Sequence, residues 1–436
     1  MSGFQEQKNI LLFAPLVNLH IGINQEELQR GIKMKNNSYL NIILEKSNKY
    51  LIETFGPKEA ETFIKEAKEK IVSADKKDIV HEFRELYEKM VKENHRNDTS
   101  LNFDKKLFSF VQKDNKKVKI LWGDCLDTLK KLPSESVHLM VTSPPYYNAR
   151  EYSQWSDLNE YLDDMRKIIK EAWRVLDNHH VFVYNVGDIF GNDNLTTKSV
   201  WGDRRLPLGA YFIKIFEEAG FTYVDDFMWD KGEVQSKRQQ NGDAPFPFYQ
   251  YPLNCYEHIL IFHKHRLDNT RFPCPICGTL KVNGNTQSEP GLMSWECKNF
   301  DCPERSASDR GKRFSLKTNL TQNQRSREGN EIPVDLVKKW RRDIIKFSPV
   351  IKINSKGENK LGHTAPFPED IPEMAVYFYS HKGDIVLDPF AGSFTTAIVA
   401  NKLGRIGVGC ELRKDLFEKA IIDNLTKKGH EFEEFS

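Results

Sequence analysis

Thr142-Ser143-Pro144-Pro145-Tyr146 closes the apolar run from Val137 to Thr142, and its reading decides the fold. A short run rich in Val, Leu and Met, ended by Ser-Pro-Pro, spells a buried strand with a stiff exit. Two consecutive prolines fix the backbone and remove two N–H donors. What remains is a rigid pair of carbonyl acceptors, at Ser143 and Pro144, beside a hydroxyl and the Tyr146 ring. Such a site cannot cradle a phosphate. It can accept hydrogen bonds from an exocyclic amino group while Tyr146 stacks on the base that carries it. The plain alternative is a turn stiffened by Pro-Pro.

The surroundings repeat one grammar. Val118 to Trp122 is a short strand ended by Gly123-Asp124. Asp157 to Leu176 predicts an amphipathic helix, with Leu158, Leu162, Met165, Ile169, Trp173 and Leu176 on one side and Ser156 as N-cap. Val181 to Val186 follows as a buried strand. Further on, Ile371 to Ser380 reads as a helix with Pro372 in its first turn, and Asp384 to Leu387 as a strand. Thr395 to Leu403 reads as a helix and Arg405 to Cys410 as a strand ending at Glu411. Strands alternating with helices imply a parallel sheet covered on both faces, with ligands at the carboxyl ends of its strands.

Asp388-Pro389-Phe390-Ala391-Gly392-Ser393-Phe394-Thr395-Thr396 is a strand end, a tight Gly-containing turn and a helix start. That order suits a nucleoside cofactor at a helix N-terminus. It is not GxGxxG, so a dinucleotide is disfavoured, and it lacks GxxxxGK[ST], which excludes a P-loop. Glu411, ending the next strand, sits where a ribose-binding carboxylate would. An ordinary strand-to-helix turn is the plain alternative.

Taken together, Thr-Ser-Pro-Pro-Tyr and Asp-Pro-Phe-Ala-Gly-Ser resemble the motifs of the amino-directed DNA methyltransferases, which use S-adenosylmethionine. The Pro-Pro motif precedes the cofactor motif, as in the circularly permuted beta class. The resemblance covers about 117–230 and 360–425. It implies a permuted Rossmann-like α/β fold with Ser143, Pro144, Pro145 and Tyr146 as catalytic residues. It further implies that Asp124, Asp388, Phe390, Gly392, Ser393, Thr395 and Glu411 hold the cofactor, Asp124 as an acidic contact to its adenine. His363-Thr364-Ala365-Pro366-Phe367-Pro368 looks like the class motif before the cofactor strand. One departure is Phe394, where many members have a third small residue.

The resemblance implies direct in-line methyl transfer. The exocyclic nitrogen is a weak nucleophile because its lone pair is delocalised into the ring. Acceptors at Ser143 and Pro144 would orient the NH2 group, so the rate gain is positioning and preorganised electrostatics. The base must leave the stack to reach them. Ser before Pro-Pro-Tyr favours cytosine-N4 as the target over adenine-N6. A methyltransferase for RNA or protein amino groups, and a non-catalytic zinc DNA-binding protein with a degenerate cofactor fold, are the remaining alternatives.

Between the two halves, about 231–360, no strand–helix alternation is evident. Here Cys274-x2-Cys277 and Cys297-x4-Cys302 stand nineteen residues apart. Two close Cys pairs predict a tetrahedral zinc site with four thiolate ligands, structural because no position is left open. Cys274-Pro275-Ile276-Cys277-Gly278 resembles the first knuckle of a zinc ribbon. None of the three cysteines outside this cluster follows a proline, which argues against cytosine-C5 chemistry and its thiolate nucleophile.

Charge is nearly balanced over the 436 residues, at +2, but 305–360 carries fifteen Lys/Arg against six Asp/Glu. Beside a zinc module, this +9 stretch reads as a target-recognition region for duplex DNA. Lys338, Lys339, Arg341 and Arg342 suit phosphates, and Arg325 and Arg327 could reach base edges. Residues 1–115 read as a Lys/Glu-rich helical extension that packs on the main domain or contacts nucleic acid or a partner directly, with no convincing nuclease motif. Four segments follow: 1–115, 116–230, 231–360 and 361–436. Ile10 to Leu19 is too short and too interrupted for a span or signal peptide, so the chain is expected to be cytoplasmic. A restriction–modification or phage-defence setting, with a cognate restriction endonuclease, is the expected context.

Overall fold

The computed structural model describes residues 25–73, 75–99, 103–147, 155–190, 205–232, 255–266, 270–287, 293–305, 310–315, 330–348 and 368–435. Arg325, Arg327 and the stretch from His363 to Phe367 lie outside the described residues. In chain order, α1 (Gln25–Phe55), α2 (Pro57–Lys70), α3 (Lys76–Thr99) and α4 (Lys105–Gln112) precede β1 (Val118–Trp122). Then come α5 (Cys125–Lys131), β2 (Val137–Thr142), α6 (Leu158–Val175), β3 (Leu176–Val186), β4 (Ile189–Phe190), β5 (Arg205–Leu206), α7 (Leu208–Glu218), β6 (Phe221–Asp230) and β7 (Tyr256–Lys264). β8 (Val282–Gln287), β9 (Met293–Cys297) and β10 (Arg313–Ser315) follow. Last are α8 (Val334–Trp340), β11 (Ile344–Lys346), α9 (Asp370–Tyr379), β12 (Ile385–Asp388), α10 (Thr395–Lys402), β13 (Ile406–Glu411), α11 (Lys414–Ala420) and β14 (Phe432–Glu434). Among the described residues no helix is long and apolar enough to cross a membrane.

These elements divide into two compact units. The larger is a nine-stranded sheet in the order β11-β6-β7-β3-β2-β12-β13-β1-β14. β7 runs antiparallel to β3 and β6; every other neighbour pair is parallel. Strand alternation sorts the side chains onto two faces. Met140, Phe182, Tyr184, Leu260 and Phe262 pack with α5, α6 and α7. Leu139, Val141, Val183, Ile259 and Ile261 pack with α9 and with Trp340 of α8. The helices on both faces explain why the strands read as nearly continuous apolar runs.

Two local expectations change. α6 is capped by Asp157, whose carboxylate accepts the Asn159 and Glu160 N–H groups at 2.7 and 3.0 Å. Ser156 instead donates its hydroxyl to Glu160, so the pair shares the helix start much as a capping box does. Residues 231–360, read as showing no strand–helix alternation, supply β7 near the middle of the sheet and β11 at its edge. Polar residues masked β7: Tyr-Glu-His-Ile-Leu-Ile-Phe-His-Lys does not look like a core strand. Two of its polar members find partners distant in sequence. Lys264, almost fully buried, donates to the Leu176 carbonyl at 2.6 Å, and His258 Nδ1 lies 2.6 Å from Asp226.

The smaller unit joins the described parts of Met1–Lys89 to Thr270–Gln287 and Met293–Phe314. Phe55, Phe63, Phe83 and Tyr87 form its aromatic centre, with the Phe63 and Phe83 rings edge-to-face at 5.5 Å. The helices also meet the cysteine-bearing module directly. Ser47 accepts the Leu280 N–H at 3.0 Å, and a Cβ on Gly278 would stand 2.9 Å from Ile43. The buried face of the N-terminal helices therefore has a partner more than two hundred residues away in the chain.

α10 lies so close to β13 that a Cβ on Gly407 would stand 1.9 Å from the Ala397 carbonyl oxygen. Gly407→Ala should therefore destabilise the chain by about 1–3 kcal/mol or more, the range for overpacking a core. Thermal melting that shows no loss would refute this packing.

Candidate active site and candidate metal centre

The parallel run of β3, β2, β12, β13 and β1 turns its carboxyl ends to one edge. There the topology gathers Asp124, Ser143 to Tyr146, Asp388 to Thr395, and Glu411. The tightest link is the hydroxyl of Thr142, which donates to Asp388 at 2.5 Å across 246 positions of sequence. Asp388 also accepts the Phe390 N–H at 3.0 Å. Burial raises its carboxyl to about 6, although the bonds from Thr142, Thr396 and Phe390 pull the other way.

Glu411 is equally committed. One oxygen accepts the Gly392 N–H at 2.9 Å and the other the Arg413 N–H at 2.8 Å. Its carboxylate thus holds the turn that was expected to hold the ligand, with lone pairs left over on each oxygen. Gly392 has φ +49°, the left-handed region that glycine enters at little cost. Ser393 and Thr395 share a hydroxyl–hydroxyl bond of 2.8 Å. Phe394 is also left-handed, at φ 61°, and fully buried. Its ring points into the core, 5.7 Å from that of Phe417. Gly409 makes the room, since a Cβ there would stand 2.5 Å from the Phe394 ring. The bulky residue that departs from the family pattern is thus turned away from the site.

Asp124 caps α5, accepting the Leu126 and Asp127 N–H groups at 2.7 and 3.2 Å, and is exposed at the strand end. Beside it stand two apolar side chains that sequence reasoning missed, Trp122 and Leu412, 53% and 52% exposed. The Trp122 ring N–H donates to the Leu412 carbonyl at 3.3 Å, and the Lys414 ammonium lies 5.0 Å from its ring centre. A Trp placed directly before Gly-Asp at a strand end was the available signal.

On the other side, Pro144 is buried while Ser143, Pro145 and Tyr146 are half-buried. The Tyr146 hydroxyl bonds to Glu257 and Ser143; burial and the Glu257 carboxylate push it well above the usual tyrosine range. Glu257 also takes the Lys231 ammonium at 2.7 Å. Glu257 did not stand out in the sequence, because β7 itself did not. The basic cluster lies elsewhere on the sheet. Lys338, Lys339, Arg341 and Arg342 are exposed on and just after α8, before β11, four strands from β2. Lys339 is tied to Asp370 at 2.8 Å, which leaves it less available for a phosphate than its neighbours.

In the smaller unit, the sulfurs of Cys274, Cys277, Cys297 and Cys302 all lie within 4.8 Å of one another, and all four residues are buried. Cys277 Sγ and Cys297 Sγ are 3.7 Å apart. Tetrahedral zinc with Zn–S bonds of about 2.3 Å places its sulfurs roughly 3.8 Å apart. No disulfide joins them. Asn299 Nδ2 donates to Cys277 Sγ at 3.5 Å, and the Thr279 hydroxyl lies 3.4 Å from the same sulfur, contacts of the kind that would orient a ligand sulfur if a metal were held there.

Comparisons with known proteins point to one family. The DNA methylase family model matches residues 137–422. The type II beta methyltransferase M.BslI of Bacillus sp. (strain NEB-606) is 42% identical over 317 residues, covering 72% of this chain and 28% of that relative. The chain thus spans little more than a quarter of that relative's length. The type II methyltransferase M.ScaI of Streptomyces caespitosus is 24% identical over 329 residues, covering 74% of this chain and 86% of that one. The solved structure of TTHA0409 from Thermus thermophilus covers 73% of this chain and 99% of its own, at 24% identity and a TM-score of 0.47, a likeness too loose to argue from. With the family model spanning well over half its length, this chain belongs to the DNA methylase family.

Proposed function

We propose that the chain transfers a methyl group from S-adenosylmethionine to an exocyclic amino group of a base in duplex DNA. The observation that carries this is the Thr142–Asp388 bond, which holds the Pro-Pro carbonyls beside the Gly392 turn. In this reading the larger unit is a circularly permuted methyltransferase domain, because the amino-group motif precedes the cofactor motif in the chain.

The residues at the edge fit a nucleoside with a charged tail. Trp122 and Leu412 offer apolar walls for a base, Asp124 an acceptor for its amino group, and Glu411 lone pairs for ribose hydroxyls. Asp388, Phe390, Gly392, Ser393 and Thr395 complete the cradle. S-adenosylmethionine, when bound, supplies the electrophilic methyl. The Ser143 and Pro144 carbonyls accept from the amino group and aim its nitrogen lone pair, with the Ser143 hydroxyl in support. Pro145 stiffens the segment, and the Tyr146 ring stacks on the flipped base. Glu257, anchored by Lys231, holds the Tyr146 hydroxyl and so the angle of that ring.

Ser143 before Pro-Pro-Tyr favours cytosine-N4; adenine-N6 is the second reading, since both amino groups present the same hydrogen-bonding problem. The four sulfurs would hold one structural zinc ion, which would fold a module otherwise too polar to fold on its own core. Lys338, Arg341 and Arg342, with Lys339 less free, suit DNA phosphates. Arg325 and Arg327 remain candidates for base edges. A cytoplasmic restriction–modification role beside a cognate endonuclease is the setting that fits.

Incubation with methyl-labelled S-adenosylmethionine and mixed-sequence duplex DNA should label the DNA. Nucleoside analysis should then return N4-methylcytosine; N6-methyladenine would reverse the base assignment, and no transfer by cofactor-binding protein would sink the proposal. Pro144→Ala and Tyr146→Ala should each lower the transfer rate at least tenfold while S-adenosylmethionine affinity, measured by calorimetry, stays within twofold. Equal loss of both would refute the roles given to these residues. Elemental analysis should find about one zinc per chain. Cys277→Ser should lose it and melt earlier, and a metal-free preparation with unchanged melting would discard the zinc site.

A further inference from the structure

We infer that Phe300, flanked by Lys281 and Arg305, is a DNA-contacting tip on the cysteine module. The inference rests on the proposal that the chain acts on duplex DNA, and adds a contact that neither the basic stretch nor the catalytic motifs supply. Phe300 is 67% exposed, as much as any large apolar side chain among the described residues. It lies on the turn between Cys297 and Cys302. That turn is pinned on both sides: Asn299, itself buried, bonds Cys277 Sγ, the Cys302 N–H donates to the Asn299 carbonyl at 3.2 Å, and the Arg305 N–H donates to the Cys302 carbonyl at 3.0 Å. The ring is therefore held out on a built support.

Cations dominate around it. The Arg305 guanidinium lies 4.2 Å from the ring centre and the Lys281 ammonium 5.5 Å. Of the nearby acids, Asp301 pairs with Lys46 and also faces Lys281, Glu304 pairs with Lys312 at 2.6 Å and Glu296 with Lys298 at 2.8 Å, while the Arg305 guanidinium also donates to the Asn299 carbonyl at 3.4 Å. An exposed ring with two positive charges against it is complementary to a surface that is apolar and anionic within a few ångströms. A DNA groove meets that description: sugar and base edges offer the apolar part, and the phosphates on either side offer the charge. Apolar side chains used as wedges against base steps, with cations on the flanking phosphates, are an established way to bind a minor groove. The committed arrangement is Phe300 against the sugar–base edge, with Lys281 and Arg305 each on one phosphate.

The test uses the full chain and a fluorescent mixed-sequence duplex, read by anisotropy over a potassium chloride series, with S-adenosylmethionine affinity and melting followed on the same samples. Phe300→Ala should weaken DNA binding at least fivefold with little change in salt dependence, and Phe300→Trp should restore it. Lys281→Ala combined with Arg305→Ala should lower the slope of log affinity against log salt by about 2, since each neutralised phosphate contributes roughly 0.9. All variants should bind S-adenosylmethionine as the parent does. DNA affinity and salt slope unchanged in both the alanine variant and the double variant would overturn the inference and leave the proposed function intact. A parent chain that binds S-adenosylmethionine but not duplex DNA would overturn both. If Phe300→Ala melts early, the double variant decides by its slope alone.

Discussion

One buried hydrogen bond organises the larger unit. Thr142 ends β2 and Asp388 ends β12, and their side chains meet where these parallel neighbours leave the sheet. A carboxylate buried without partners would be prohibitively costly, so its donors are obligatory. Thr142 comes from the segment that carries the Pro-Pro carbonyls, and the Phe390 N–H from the segment that carries the Gly392 turn. Satisfying one carboxylate therefore fixes the spacing between the two motifs. For the proposed methyl transfer, positioning of this kind would be the main lever.

The rest of the edge shows the same economy. Glu411 both closes the Gly392 turn and caps the chain's exit at Arg413. Phe394 is folded into the core over Gly409. Glu257 reaches Tyr146 because β7 runs antiparallel beside β3, which brings the start of a late strand to the carboxyl edge of early ones. The smaller unit solves a different problem. Its module places four buried sulfurs where an ordinary domain places apolar side chains, and its remaining apolar surface is met by the N-terminal helices.

The amino-acid sequence by itself determined the class of fold and the local backbone character of both motifs. It could do so because those properties are local. Prolines remove donors wherever they stand, a glycine permits its turn, and two close cysteine pairs can meet in one cluster. The alternation of strand and helix also implied that Asp124, Thr142, Asp388 and Glu411 would end strands together.

Only the tertiary structure decided what depends on distant partners. β7 was illegible because its histidines, glutamate and lysine become acceptable in a core only when Asp226, Lys231 and the Leu176 carbonyl meet them. Glu257 was hidden with it. The pairing of the N-terminal helices with the cysteine module could not be read from either segment. Each carries an incomplete apolar surface, and complementarity between two surfaces is a property of neither alone. Nor could the sequence say which way Phe394 turns, since that depends on space left by Gly409 on another strand. Local backbone chemistry is written residue by residue; burial, and the satisfaction of polar groups within it, exists only once the chain has closed on itself.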